Sequence, residues 1–139
     1  MDDDYVPELI TDAGESEEYV YMVGIRESAS PNAWSMLFQE CLDEDDEQEI
    51  ELGMDTYCLV VDPGQRTVYG GVLAYQIEAD RLRLVLSEKT AEVLGLSAEL
   101  TFSLRLAPDV INMLSKGLER VFTSGRPDAF PERLERRTA

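Results

Sequence analysis

Alternating apolar and polar positions predict several β-strands along the chain. The clearest is 99–106, where Leu100, Phe102, Leu104 and Leu106 fall on one face and polar residues on the other. Similar short runs, rich in β-branched and aromatic residues, predict strands at 19–26, 34–42, 56–62, 67–77 and 81–87. Tight turns connect many of these runs, so we expect mainly antiparallel pairing.

Two segments have the 3.6-residue period of an amphipathic helix. The longer is 108–122, with Pro108 and Asp109 suited to a first helical turn. Its apolar stripe comprises Val110, Ile111, Leu114, Leu118, Val121 and Phe122. A shorter helix is predicted over 87–96, with Ser87 as the N-cap and Gly95 as the stop.

These elements predict an α+β fold. We expect an antiparallel β-sheet of five to six strands, covered on one face by the C-terminal amphipathic helix, plus the short helix. Residues 19–123 would form a single domain, with a flexible acidic tail at 1–18 and a loosely ordered tail at 124–139. The pair Gly70-Gly71 predicts a bulge or a close backbone approach within the strand 67–77.

Charge is distributed very unevenly along this chain of 139 residues. The net charge is −17, and residues 1–55 carry all of it, with 18 acidic residues and one basic residue, Arg26. Such a charge opposes direct binding to nucleic acid or to an anionic membrane, and favours fast encounter with a basic protein. We therefore expect neither nucleic acid nor membrane as a partner.

The densest acidic stretch, DEDDEQEIE at 43–51, was tested as a metal site. A calcium-binding EF-hand loop starting at Asp43 would need Gly at its sixth position and Glu at its twelfth, but Gln48 and Met54 stand there. The frames starting at Asp45 and Asp46 fail as well. We predict no metal and no cofactor.

The chain also lacks the residues that common catalytic sites require. It contains no histidine, which removes Ser–His and Cys–His nucleophile pairs and most zinc sites. Its two cysteines, Cys41 and Cys58, do not make a disulfide framework, and the acidic start does not resemble a signal peptide. We expect a cytoplasmic protein that is not an enzyme, with both cysteines buried.

The segment 52–96, followed by ELTFSLRL and the amphipathic helix, resembles the immunity protein 10 family of bacterial polymorphic toxin systems. The stretches that carry the resemblance are GMDTYCL at Gly53–Leu59, TVYGGV at Thr67–Val72 and AEVLGL at Ala91–Leu96. It implies a protein that binds a cognate toxin and neutralises it by occlusion. Many toxins of these systems attack nucleic acid through basic clefts, which an acidic inhibitor could cover.

The family provides no residues to carry over, so the predicted contact surface depends on charge and exposure. The predicted partner-binding residues are Asp43, Glu44, Asp45, Asp46, Glu47, Glu49, Asp55 and Tyr57. Tyr57, Trp34 and Tyr69 are candidate aromatic anchors, although core packing is the simpler interpretation of Tyr57 and Trp34. Monomer and dimer both remain open.

Two rival functions are kept beside the immunity hypothesis. One is a structural or regulatory adaptor that binds a basic protein, with an exposed sheet edge as a route to a dimer. The other is a small-molecule-binding protein or carboxylate-based enzyme, which requires a deep pocket with converging carboxylates.

Overall fold

The strands belong to two sheets that enclose one hydrophobic core. The computed structural model describes residues 6–18, 20–40, 56–62, 64–78, 80–124 and 130–133. In spatial order, sheet A consists of β1 (Leu9–Ile10), β9 (Glu99–Leu104), β8 (Arg81–Leu86), β7 (Val72–Ile77) and β10 (Glu132–Arg133). Sheet B consists of β2 (Asp12–Ser16), β3 (Met22–Arg26), β4 (Ser35–Gln39), β5 (Cys58–Asp62) and β6 (Arg66–Tyr69). The helices are α1 (Glu88–Leu94) and α2 (Pro108–Phe122).

The predicted α+β class and the C-terminal helix are confirmed, and pairing is mostly antiparallel. Sheet B is an antiparallel meander in which each strand pairs with the next one along the chain. The expectation of one sheet is corrected to two. The segment 67–77, predicted as one strand, is divided at Gly70-Gly71 into β6 of sheet B and β7 of sheet A.

Gly70 and Gly71 direct the chain from one sheet to the other. Their φ angles are 69° and 92°, in the region that side chains disfavour. A Cβ on Gly71 would also collide with the side chain of Thr90 in α1. Of the two alternatives predicted for this pair, a bulge within one strand is wrong and a close approach is confirmed, between Gly71 and Thr90 at the crossing between the sheets.

Helix α2 covers part of the inner face of sheet B, against β2, β3 and β4. Its last residue, Phe122, lies where the two sheets meet. Its ring centroid is 5.7 Å from that of Phe38, 5.2 Å from that of Tyr57 and 4.8 Å from that of Tyr75. Phe38 and Tyr57 belong to the sheet B side and Tyr75 to β7, so one aromatic residue joins both sheets. Trp34, next to β4, makes a second contact between the sheets: its ring centroid lies 5.6 Å from that of Phe102 in β9.

Both terminal segments differ from the predicted tails. Residues 9–16 form β1 and β2, and Ile10 is fully buried in the core. The amides of Ser103 and Arg105 donate to the carbonyls of Glu8 and Ile10, at 2.7 and 2.9 Å. Near the C-terminus, β10 pairs in parallel with β7. β1 likewise pairs in parallel with β9. Parallel pairing with a strand far away in the chain leaves little local signal in the sequence, which explains why β1 and β10 were missed.

Candidate functional site

The outer face of sheet B, turned away from the core, has an apolar centre between polar ends. Alternation along β3, β4 and β5 sends Val23, Ile25, Met36, Phe38 and Leu59 inward, where all five are fully buried. The pairing register then places the alternate residues together on the outer face. The apolar ones are Met22, Gly24, Leu37, Cys58, Val60 and Tyr69, with Gly14 at the edge, and the polar ones are Asp12, Ser16, Arg26, Ser35, Gln39, Asp62 and Thr67. Met22, Leu37 and Val60 are half-buried.

Two glycines create a depression in this outer face. Gly14 of the edge strand β2 pairs directly with Gly24 of β3. The Leu37 side chain lies over Gly24, where a Cβ would collide with it, whereas a Cβ on Gly14 would meet nothing within 4 Å. The result is a cavity of about 430 Å³, which we call the Gly14 trough. It is lined by Asp12, Ala13, Gly14, Glu15, Ser16, Met22, Gly24, Arg26, Ser35 and Leu37.

One end of the trough is polar and internally paired. Arg26 Nε donates a hydrogen bond to Asp12 Oδ2 at 2.8 Å, and the Arg26 Nη2 atom contacts the same oxygen. Both side chains are partly exposed, so the pair orders the wall of the trough and contributes little to stability. The wall on the other side is formed by Met22 and Ser16, which pair across β2 and β3.

At the opposite edge of sheet B, Tyr69 of β6 is 40% exposed. It pairs with Cys58, whose side chain is buried. Burial raises the pKa of the Cys58 thiol to about 11. The thiol is therefore protonated and unreactive at neutral pH. This outcome agrees with the expectation that Cys58 acts as a small buried hydrophobic residue, while Cys41 lies outside the described residues.

The outer face of sheet A has a different character. The register places Arg83 opposite Thr101 and Val85 opposite Glu99, and Arg81 pairs with Ser103. Arg83 Nη2 lies 3.4 Å from Glu99 Oε1, in an exposed ion pair. This face is mainly polar, with an excess of arginine. Its exposed apolar residue is Leu73, 56% exposed at the irregularity of β7.

Acidic side chains gather at one end of sheet B around a single arginine of α2. Arg120 donates from Nε and Nη2 to the two carboxylate oxygens of Glu40, at 3.1 and 3.2 Å, and from Nη1 to Glu17 at 3.2 Å. Its guanidinium also lies 4.1 Å above the ring of Tyr21. Tyr21 in turn donates to Glu15 at 2.9 Å. We call this arrangement the Arg120 cluster.

The Arg120 cluster changes the acid–base behaviour of its members. The hydrogen bond to Glu40 raises the pKa of Arg120 above its ordinary value. Burial, followed by the hydrogen bond to Glu15, raises the pKa of Tyr21 to about 12. A second depression, of about 400 Å³, adjoins the cluster and contains Asp109 and Lys116. Tyr21 binds Glu15 and Arg120 binds Glu17, so these two carboxylates of the depression already have partners within the protein.

The predicted acidic contact segment lies between two strand ends that pair with each other. Gln39, the last residue of β4, pairs with Cys58, the first residue of β5, and Glu40 of the Arg120 cluster follows Gln39. The predicted contacts Asp43, Glu44, Asp45, Asp46, Glu47, Glu49 and Asp55 lie outside the described residues. They stay predictions.

Tyr57 is the described member of the predicted contact set, and it is not on the surface. Its side chain is fully buried, and its hydroxyl accepts a hydrogen bond from the Val72 amide at 3.0 Å. Burial raises its pKa to about 12. Trp34 is buried as well, in agreement with the core interpretation. Tyr69 is the exposed one of the three proposed aromatic anchors.

The apolar surface residues Met22, Leu37 and Val60 were missed in the sequence. Their strands, MVGIR, SMLFQ and CLVVD, carry apolar residues at the centre of both faces and polar residues mainly at their ends, so alternation over five residues could not decide which face is exposed. A signal was nevertheless present. An antiparallel strand that is apolar on both faces must either be covered on both sides or expose an apolar surface.

Metal and membrane sites were also examined. Within the described ranges, no group of three or more Cys, Asp or Glu side chains is arranged to hold a metal ion. No helix in the part of the chain that the structure describes is long and apolar enough to cross a membrane.

Comparison with known proteins identifies the family. No curated protein and no solved structure matches the chain. The family model of immunity protein 10 matches residues 9–112, which begin at β1 and end within α2. The match therefore includes the β1 and β2 segment assigned to a tail in the sequence analysis, together with the complete sheet B. The chain belongs to the immunity protein 10 family.

Proposed function

We propose that this protein binds a cognate toxin of a bacterial polymorphic toxin system in the cytoplasm and neutralises it by occlusion. Family membership supplies the class of function. The observation that carries the proposal is the outer face of sheet B, where half-buried Met22, Leu37 and Val60 and exposed Tyr69 form an apolar centre between polar ends. Surfaces of this kind, rimmed by polar groups, mark protein–protein contact sites.

Occlusion requires a complementary surface and no chemical step. An interface of ordinary size needs a few buried apolar or aromatic anchors surrounded by a polar rim. Met22, Leu37 and Tyr69 provide apolar side chains across the face. Asp12 and Arg26 lie at its edge as an ion pair. Apolar side chains beside polar groups are what a docking surface needs.

The rim charge favours a partner with a basic surface. Among the described residues before β5, seven are acidic, namely Glu8, Asp12, Glu15, Glu17, Glu18, Glu27 and Glu40, while Arg26 is the basic one. The segment 41–55 contains eight more acidic residues. Opposite potentials accelerate association and exclude acidic competitors.

The rival enzyme hypothesis requires a deep pocket with converging carboxylates. The two depressions described above are open surface features, and Arg26, Arg120 or Tyr21 engages their carboxylates Asp12, Glu15 and Glu17. The observed arrangement favours binding over catalysis. The adaptor hypothesis shares the same surface and differs in the identity of the partner.

The test starts from the gene directly upstream: if it encodes a large secreted protein with a toxin-like C-terminal domain, that domain is co-expressed with this protein. Cells that carry the induced toxin domain and an empty vector should stop growing, and cells that also express this protein should recover. The purified proteins should form a complex by size-exclusion chromatography. Growth arrest despite abundant folded protein, with no complex formed, would contradict neutralisation of that toxin.

A further inference from the structure

The end strands of the two sheets resist pairing with other chains in different ways. An end strand is a template for another strand, and folded proteins blunt it with charge, with short length or with a covering element. In sheet B, β2 carries Asp12 and Glu15. Helix α1 lies against β6, where Arg66 Nη1 donates to the Leu94 carbonyl at 3.1 Å. In sheet A, the end strands β1 and β10 have two residues each.

Strand β7, next to β10 in sheet A, has the composition of a strand that pairs readily with a copy of itself. Its six residues, VLAYQI, include no charged residue and no proline, and such segments self-associate when they form a sheet edge. β7 also belongs to the part of the chain, 56–139, whose charges sum to zero, whereas residues 1–55 carry the net charge of −17. Two β7 strands therefore bring no like charges together when they pair.

Strand β10 supplies the protection that the sequence of β7 lacks. Its two residues pair in parallel with Ala74 and Tyr75, in the middle of β7. Both are of charged types, Glu132 and Arg133, and Pro131 precedes them. Proline has no backbone N–H to offer to a further strand. A short, charged end strand that follows a proline has the features by which natural sheets avoid edge-to-edge association.

Strand β10 is also separable from the rest of the fold. The buried core residues that the structure describes run from Ile10 to Phe122, and the family match ends at residue 112. Phe130 and Glu132 are exposed. A two-residue strand outside the core opens at a small cost in free energy. β10 can therefore leave β7 while both sheets keep their core.

We propose that β10 is a detachable cover of β7, and that β7 without this cover pairs with β7 of a second copy of this chain. Two copies related by a two-fold axis present the same strand to each other, so the pairing is antiparallel. It joins the two copies of sheet A into one continuous sheet. This inference goes beyond the proposed function and does not depend on a toxin. With β10 in place, the natural protein is a monomer.

The experiment is sedimentation velocity of the full-length protein and its variants over a range of concentrations. In the variant with Glu132→Pro and Arg133→Pro, β10 loses both backbone N–H groups and its pairing with β7. This double-proline variant should reach twice the mass of one chain at concentrations at which the natural protein sediments as one chain. The matched control, Glu132→Ala with Arg133→Ala, keeps the N–H groups and should stay monomeric.

A further substitution in β7 identifies the surface through which the variant dimerises. Leu73 is 56% exposed at the irregularity of β7, so Leu73→Lys leaves the core intact. Added to the double-proline variant, it places a positive charge on each of the paired strands, and the dimer should revert to single chains. Circular dichroism melting verifies the fold of every variant.

Several results would overturn the inference. If the natural protein is already a dimer, β10 does not protect β7. If the double-proline variant is folded and monomeric, β7 does not pair with itself, and if it is unfolded, β10 belongs to the core. A dimer of the alanine control assigns the effect to lost charge, and a dimer that survives Leu73→Lys lies on another surface. Larger assemblies contradict two-fold pairing, which closes at two copies.

Discussion

The outer faces of the two sheets carry different side chains at their centres. Sheet B has half-buried Met22 and Leu37 and exposed Tyr69. Sheet A exposes Arg83, Glu99 and Thr101. Both faces are opposite the same core, so the difference cannot come from the requirements of folding. Folding needs only the inner faces to be apolar.

The difference also explains the uneven charge along the chain. The acidic residues of 1–55 belong to the half of the sequence that builds β1 to β4, and the balanced part builds β5 onward. The sheets divide later, at Gly70-Gly71, and β1 belongs to sheet A, so the acidic part supplies three of the five strands of sheet B and one strand of sheet A. A surface that is both apolar and acidic suits a partner with the opposite charge.

The largest expected effect concerns the glycine that separates the two sheets. Gly71→Ala should lower the free energy of unfolding by about 2–4 kcal/mol, because the new Cβ collides with Thr90 and the φ of 92° disfavours a side chain. Urea denaturation followed by the fluorescence of Trp34, the single tryptophan, measures it. Gly14→Ala is the matched control, with an expected change below about 0.5 kcal/mol. If the two variants are equally stable, the close contact between Gly71 and Thr90 at the crossing between the sheets is wrong.

The second prediction compares the two outer faces directly. Leu37→Arg should weaken toxin binding by about 100-fold, because it places a charge in the apolar centre of the proposed interface. Thr101→Arg places the same charge on sheet A and should change affinity less than about threefold. Surface plasmon resonance with the immobilised toxin domain provides both values. A larger loss for Thr101→Arg would assign the interface to sheet A.

The third prediction concerns the acidic segment between β4 and β5. Replacing Asp45 and Asp46 by lysine should slow association about tenfold at low ionic strength and flatten its dependence on salt. Stopped-flow association rates at several salt concentrations test this, with the dissociation rate as the internal control. An unchanged association rate would exclude these two residues from electrostatic steering.

The smallest effect concerns Tyr57, the predicted contact that is buried instead. Its pKa is about 12 in the folded protein against 10.0 ordinarily, so burial favours the neutral form. The associated stability is present below pH 10 and is lost as the pH rises from 10 to 12. At pH 11 the loss is about 1 kcal/mol relative to pH 9.

Tyr57→Phe provides the control for this pH effect. The variant should lose part of the pH-dependent decline, while the remainder reflects Cys58, whose pKa is about 11, and Tyr21, whose pKa is also about 12. Urea unfolding at pH 9, 10 and 11 measures both proteins. An identical decline in the variant would show that Tyr57 is accessible to solvent.

Much of the fold could be predicted from the sequence. The helix at 108–122 was predicted with its observed bounds, because its apolar stripe and Pro108 mark an amphipathic helix clearly. The division into two sheets could not be predicted. A Gly-Gly pair within an apolar run is equally compatible with a bulge and with a crossing, and only tertiary packing against Thr90 decides between them.

The candidate site was predicted less completely. Counting charged residues along the sequence was enough to identify the acidic N-terminal part of the chain, because this count does not depend on the fold. The apolar surface was missed because β3 and β4 carry apolar residues on both faces, and Tyr57 was assigned to the surface because its neighbours in sequence are acidic. Exposure depends on which face helix α2 and sheet A cover, and that is a property of the assembled fold.

The most direct test of the central claim is oxidative footprinting of the natural protein, free and bound to the upstream-encoded toxin domain. Met22 and Tyr69 report on the outer face of sheet B, and Leu73 reports on sheet A. The account predicts that oxidation of Met22 and Tyr69 falls severalfold in the complex while that of Leu73 is unchanged. Protection of Leu73 with Met22 and Tyr69 still reactive would contradict it.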